Sequence, residues 1–530
     1  MPIIFENRAI LAPQPATSTS SQFRNWPSMY VAWLQGNSTN GADVTAGRQA
    51  IAKTDVAVMQ GAWASKRATD YTNITAIKSI RSGIALGPYL DPCFWKDTAE
   101  SSTDDYTRSV YDVVTAGNSN WRLRDTSGTG LAHRFAPANF RATNMAVHIA
   151  GTSGGLRFSE ALADRMESDL NDGSGDRRSV YSFWGFDDMT PVDYPKYSGG
   201  SDATPDYDAD ASGDDPQDDT VPTGGGHKYR QGQAQFLTDF RAQFTNYAMF
   251  INTDLGLPYA QSNPACPVRP ITSIETYQAA DACLVENVFT YRFRIADHDT
   301  HSNDHIYPLG AAAGSSEGWM TLAVNEVVAR TDAQSMWGKK MYAVYQNMAV
   351  NSSTSPTSAD YDMARLLFAV CMSVEGAAYG AVMSGSDRPF WLDELAISFG
   401  NPMAARSMGT LDDSGAPVTF TLRSADFTGG SSEKFYWTEY QNALVVLRWD
   451  NVGITPGSSN LGDGSAVLCT LPSAGSGYRW DRFDATSYVN PTHSDLAMTS
   501  QDTTLNSGAT NVTSVSLKPY GAIFLRRVAA

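Results

Sequence analysis

The run VYSFWGFDD, residues 180–188, is mostly aromatic and apolar until it stops on two adjacent aspartates. Its length and its β-branched and aromatic content predict a buried strand that ends where the chain meets solvent. Side chains alternate along a strand, so Tyr181, Phe183, Gly185 and Asp187 share one face. Ser182, Trp184, Phe186 and Asp188 share the other. A glycine in register with Asp187 suits a crowded interior, which places Asp187 on the inward face and leaves Asp188 to cap the turn or brace its neighbour.

The same texture recurs along the chain. MYVAW (29–33), DVAVMQ (55–60), GIALGPYL (83–90), YAMFIN (247–252), ACLVEN (282–287), MYAVYQN (341–347) and AAYGAVM (377–383) all read as strands. Between them, residues 157–170, 230–244, 317–332 and 358–374 carry apolar residues at helical spacing. Strand alternating with helix implies an α/β fold with a parallel sheet. Eight strands over roughly 370 residues predict a (β/α)8 TIM barrel with long loop insertions. A doubly wound sheet is the alternative, but no glycine-rich phosphate fingerprint follows the first strand.

From residue 402 the pattern changes. VTFTLRSADF (418–427), KFYWTEYQNALVVLRWDN (434–451), SAVLCTLP (465–472) and VSLKPYGAIFLRR (515–527) are strands separated by Gly, Ser and Asp turns. They predict a C-terminal all-β sandwich domain. The expected organisation is an N-terminal arm at 1–25, a barrel at 26–401 with an acidic insertion at 195–228, and a β-sandwich accessory domain at 402–530.

The chain has 530 residues, with 39 Lys and Arg against 56 Asp and Glu, a net charge of −17. That sign argues against nucleic acid as a partner, because phosphate binding needs a basic face. Cys93, Cys266, Cys283, Cys371 and Cys469 are odd in number and widely spaced, which argues against a disulfide framework or a structural zinc site. The N-terminal residues show neither a basic segment nor a sustained apolar one, so the expectation is no signal peptide, no transmembrane span and no membrane insertion. Location on a virion surface is favoured over the cytoplasm, and residues 1–25 read equally as an arm that docks on other virion subunits or as an ordinary plug of the barrel.

Catalytic groups of barrels sit at the C-terminal ends of the strands. Asp187 ends the fourth strand, and Glu286 in ACLVENVF ends the sixth. Two carboxylates across a barrel mouth are the equipment for cleaving glycosidic bonds, one acting on the anomeric carbon and the other protonating the leaving oxygen. The partner expected is therefore a polysaccharide or other glycan. Sugar rings stack on indole, which makes Trp33 and Trp95 the candidate cleft aromatics among Trp33, Trp63, Tyr89, Trp95 and Trp184. Asp91, Asp188, Asn252 and Glu394 are candidate substrate contacts, although Glu394 reads more readily as half of an ion pair or a helix cap. Arg122, Arg124 and Asp125 stand in the long loop between the third and fourth strands, within reach of the mouth.

Asp206, Asp208, Asp210, Ser212 and Asp214 stand at every second position, like the front half of a calcium loop, which raises the expectation of structural Ca2+. Ala211 and Gln217 depart from the EF-hand pattern. The chemistry itself needs no cofactor. His298, His301 and His305 have a spacing that could hold a transition metal, but read more readily as polar loop groups or sugar contacts.

GFDDM on the fourth strand, DYDADASGDD, FLTDFRAQF, MFIN, LVEN, FWLDELAISFGNP, YQNALVVLRWDN and LKPYGAIFLRR occur in that order. In this order they resemble the glycoside-hydrolase barrel family known as hypothetical glycosyl hydrolase family 15, from about Trp26 to the C-terminus. Acids on strands four and six also resemble the α-galactosidase clan. That resemblance implies a retaining mechanism, with Asp187 as nucleophile and Glu286 as acid/base, acting on a cell-surface or capsular polysaccharide. The alternative is a phage virion structural or receptor-binding protein that uses the barrel for carbohydrate binding or as a scaffold.

Overall fold

The structure is a computed structural model that describes residues 30–34, 44–59, 68–96, 106–131, 140–145, 155–171, 175–187, 189, 197–198, 201–202, 205–206, 225–252, 280–285, 342–351, 358–373, 377–384, 392–400, 403, 407–411, 417–421, 435–449, 464–484 and 502–530. Its centre is a ring of parallel strands: β1 (Tyr30–Leu34), β2 (Val56–Met59), β3 (Ala85–Leu90), β4 (Phe183–Phe186), β5 (Ala248–Asn252), β6 (Ala282–Val285), β7 (Tyr342–Asn351) and β8 (Ala377–Ser384). Each pairs in parallel with its neighbours in chain order, and β1 pairs with both β2 and β8, closing the ring. Helices α1 (Val44–Ala52), α2 (Ala68–Ile80), α3 (Tyr106–Ala116), α4 (Phe158–Leu170), α5 (Gly225–Gln243) and α6 (Ser358–Ser373) join the strands, with α3 and α4 both between β3 and β4. The helix expected at 317–332 lies outside the described residues.

Alternation sorts the strand residues into two layers. Ala57, Met59, Leu86, Leu90, Trp184, Phe186, Met249 and Ile251 belong to the large core shared with the helices. Trp184 packs edge-on against Tyr106 of α3 and Phe240 of α5, at 5.7 and 6.1 Å between centroids. It therefore belongs to the outer layer rather than to a cleft. Val58, Phe183 and Phe250 are buried on the opposite face, where the rings of Phe183 and Phe250 meet at 5.9 Å. A Cβ on Gly87 would fall 2.4 Å from the Phe183 ring, and one on Gly185 would lie 3.4 Å from Cγ1 of Val58. Since β2 and β4 are not neighbours, Gly185 and Val58 meet across the inside of the ring. Small residues at these two places make room for large ones opposite.

The C-terminal region is antiparallel throughout its described strands: β9 (Ser407–Leu411), β10 (Pro417–Thr421), β11 (Phe435–Glu439), β12 (Ala443–Arg448), β13 (Val467–Thr470), β14 (Tyr478–Arg482), β15 (Ser514–Leu517) and β16 (Ala522–Ala529). Six form one sheet in the order β10-β9-β11-β12-β16-β14, and β13 pairs with β15. One face of the larger sheet, with Trp437, Val446 and Leu525, packs on Cys469, Val515 and Leu517 of the smaller pair. The other face continues the barrel's own core through Tyr436, Val445 and Phe524. Helix α6 is the shared wall. Phe368 stacks on Phe524 at 4.9 Å, and the Tyr440 hydroxyl donates to the Met372 carbonyl. Cys93, Cys371 and Cys469 are buried thiols outside any disulfide.

Candidate active site

Asp187 follows the last residue of β4 and is partly exposed. Its backbone N–H donates to the Leu90 carbonyl at 2.8 Å, continuing the β3–β4 pairing by one residue. Its carboxylate Oδ1 accepts from Nδ2 of Asn252, the last residue of β5, at 2.8 Å. The same nitrogen lies 3.0 Å from the hydroxyl oxygen of Tyr89 on β3. Tyr89 and Asn252 are each 6% exposed. The carboxylate thus stands at the C-terminal end of the ring, on the face that carries Phe183 and Gly185.

The ground around it is built from strand ends. Asp91 accepts the backbone N–H groups of Cys93 and Phe94 at 3.0 Å each, so one of its oxygens holds the turn that leaves β3. Below that turn the Cys93 sulfur contacts Sδ of Met145 at 3.3 Å and Sδ of Met189 at 3.8 Å. The Met189 N–H donates to the Asn252 carbonyl at 3.1 Å. A buried sulfur cluster therefore ties the exits of β3 and β4 together, and polarizable groups of this kind fill irregular gaps well.

Other expected site residues are placed elsewhere. Trp95 is 5% exposed, with Tyr111 at 5.9 Å on one side and the Arg122 guanidinium 5.9 Å from the ring centroid. It is a core residue rather than a stacking platform. Arg122 donates to the Thr115 carbonyl at 3.0 Å, a packing role. Glu394 is corrected outright as a substrate contact. It is 1% exposed, paired with Arg365 of α6 at 2.5 Å, and accepts from Asn506 at 3.2 Å. Its carboxylate fixes the junction between α6 and the C-terminal sheets, the ion-pair role that the sequence also allowed.

Trp33 lies on β1 in register with Val58. Asp206 is buried, in a short strand paired with Arg124–Asp125. Asp188, Glu286, Asp208, Asp210, Ser212, Asp214, Trp63, His298, His301 and His305 lie outside the described residues, Glu286 directly after β6. Among the described residues no group of three His, Cys, Asp or Glu converges as a metal site, and no helix is long and apolar enough to cross a membrane.

Sequence reasoning placed Asn252 at the rim but missed its hydrogen bond to Asp187, and it gave Tyr89 no role beyond that of a strand-end aromatic. The available signal was the glycine at 185, whose missing side chain marks a close approach by something large.

No family model matches the chain, and no curated protein matches it significantly. Among solved structures the chain is similar to an α-amylase from Lactobacillus plantarum, at 10% identity over 96% of this chain and 100% of that one, with a TM-score of 0.45. It is similar to a debranching enzyme from Nostoc punctiforme, at 9% identity over 90% and 86% of the two chains and a TM-score of 0.42. The glycoside hydrolase domain of PelA from Pseudomonas aeruginosa gives 14% identity over 68% and 96%, with a TM-score of 0.34. At such identities and scores these likenesses assign neither a family nor an activity to the chain.

Proposed function

We propose that the chain is a glycoside hydrolase, a (β/α)8 barrel with a β-sandwich accessory domain, that cleaves a cell-surface or capsular polysaccharide by a retaining mechanism. The observation that carries the reading is the Asp187 carboxylate. It stands at the C-terminal end of a closed parallel ring, partly open to solvent and fixed by a neutral amide donor. Carboxylates placed there are available to substrate, whereas those of the outer layer are covered by helices.

In this reading Asp187 attacks the anomeric carbon as Glu286 gives its proton to the departing glycosidic oxygen. The C–O bond to the leaving group breaks as the bond to the Asp187 oxygen forms. Glu286, now a carboxylate, takes a proton from water, and that water displaces Asp187 and restores both groups. Asp188 belongs to the same proposal as a substrate contact. Calcium is proposed as a structural ion of the 206–214 segment, with no part in the chemistry.

Reducing-sugar release from surface glycans tests the reading, with Asp187→Asn and Glu286→Gln as controls. The wild type is expected to release sugar at least about 1000-fold faster than either variant, in keeping with the loss of a nucleophile or of acid catalysis. Binding of glycan with equal or no release by all three proteins would favour a carbohydrate-binding virion module instead.

A further inference from the structure

We propose that Tyr89 and Asn252 are positioning residues for the Asp187 carboxylate, and that Gly185 exists to let the tyrosine reach its place. The inference deepens the reading above and rests on the assignment of Asp187 to the chemistry.

Three adjacent strands supply the parts. Tyr89 on β3 is in register with Gly185 on β4, and Gly185 is in register with Phe250 on β5. Two residues further along each strand, on the same faces, stand Asp187 and Asn252. A Cβ on Gly185 would come within 2.9 Å of Cδ2 of Tyr89. Glycine leaves that ground open, so the ring lies over β4 and its hydroxyl reaches the amide on β5 at 3.0 Å. The tyrosine crosses one strand to touch the next.

An asparagine amide presents an oxygen and an NH2 of similar shape and opposite polarity. An ionised carboxylate accepts hydrogen bonds and donates none, so only the NH2 end satisfies Asp187. The two N–H bonds of that nitrogen are divided between Asp187 Oδ1 at 2.8 Å and the Tyr89 oxygen at 3.0 Å. Two acceptors in different directions fix both the flip and the plane of the amide. The amide in turn fixes the carboxylate rotamer without adding a formal positive charge beside a nucleophile. Reaction rates fall steeply when a reacting atom is held an ångström out of place, so a group that never touches substrate still governs the rate.

The test uses Asn252→Leu, which keeps the branched shape and removes the donor, together with Tyr89→Phe and Gly185→Ala. Crystal structures are expected to show the Asp187 carboxylate in its present position in the wild type and turned away from it in Asn252→Leu. Kinetically, Asn252→Leu is expected to lower kcat by about 10- to 100-fold with KM within about 2-fold. Tyr89→Phe and Gly185→Ala should each give a smaller loss of similar size. The Asn252→Leu/Tyr89→Phe double variant should be no slower than Asn252→Leu alone, because the tyrosine acts through the amide. An unmoved carboxylate, an additive double variant, or a loss confined to KM overturns the proposal. If Asp187→Asn is inactive and these variants are fully active, the enzyme reading survives and the positioning role does not. If the wild type releases no sugar, the enzyme reading falls, and the position of the carboxylate in Asn252→Leu still decides the other question.

Discussion

Lys78, in the last turn of α2, extends its amine to the Ile84 carbonyl at 2.5 Å. Burial pulls its pKa down from the ordinary 10.5 to about 8. Between those values the unfolded chain holds more protons than the folded one, so stability rises with pH across that window. Below about 8 the amine is charged in both states and the full cost of burying the charge remains. Calorimetry from pH 7.5 to about 9.5 should therefore show the wild-type Tm gaining on that of Lys78→Met, which lacks the titration. A gap that stays constant with pH would refute this. The same locality explains what single residues revealed in advance. Asp187 could be assigned to the inward face because alternation and one glycine are properties of a single strand. The Asn252–Asp187 bond was not legible, because it depends on the mutual register of β4 and β5. Trp95 reads as a cleft residue, and the partners of Glu394 stay unnamed although its ion-pair role is legible, for a related reason: burial is decided by what packs on a residue, and nothing in their own neighbourhoods of sequence names Tyr111, Arg365 or Asn506.

Strands were the most legible elements, because barrel strands are short, apolar and bounded by polar turns. The run 377–383 became Ala377–Ser384 and 247–252 became Ala248–Asn252, while 180–186 shrank to Phe183–Phe186. Ser182 still bonds to both neighbouring strands, donating to the Leu86 carbonyl at 2.8 Å and accepting from the Ala248 N–H at 3.1 Å, so the pairing fades over one residue rather than stopping at Phe183. Two strands of the C-terminal sheet, Ser407–Leu411 and Tyr478–Arg482, passed unnoticed. They lie at or near the edges; Ser407–Leu411 carries a glycine and few large apolar residues, and Tyr478–Arg482 sets three charged residues around two aromatic ones. The element whose importance was least visible is α6, read from periodicity as an ordinary barrel helix. Its Arg365 is 1% exposed and paired with the equally buried Glu394. Arg365 also meets Asp362 at 3.1 Å, so removing Glu394 leaves its buried charge partly paired, at a cost of about 3 kcal/mol, the low end for a broken buried pair. Glu394→Ala is expected to lower the unfolding free energy in urea by about that much, and Glu394→Ala/Arg365→Met should recover part of it. A loss below about 1 kcal/mol would show that the junction does not depend on the pair.

For the whole molecule, the change of texture at residue 402 was read as a domain boundary, and the antiparallel sheets do begin just beyond it. The apolar core takes no notice of that boundary. It runs from Leu86 and Phe186 through Phe368 and Phe399 to Tyr440 and Phe524 without a break. Phe399 meets Tyr440 at 5.5 Å and Phe524 at 5.9 Å. Truncation after residue 401 would remove Tyr440 and Phe524 and leave Phe368, Phe399 and the outer side of α6 facing water, a patch of the kind that drives aggregation. The 1–401 fragment is expected to be insoluble or to lack a cooperative thermal transition, whereas the full chain should melt in one. A monodisperse, cooperatively melting fragment on size-exclusion chromatography and calorimetry would contradict that.

The sharing of α6 between two architectures has a bearing on heredity. Appended modules that meet their host through a polar linker are exchanged freely by recombination, one donor's module being as serviceable as another's. Here the seam runs through a helix that both sides have shaped. A viable chimera would have to inherit α6, β8, the 392–400 segment and the sheets as one block, and its new seam would then fall inside the ring, where β8 pairs with β7 and β1.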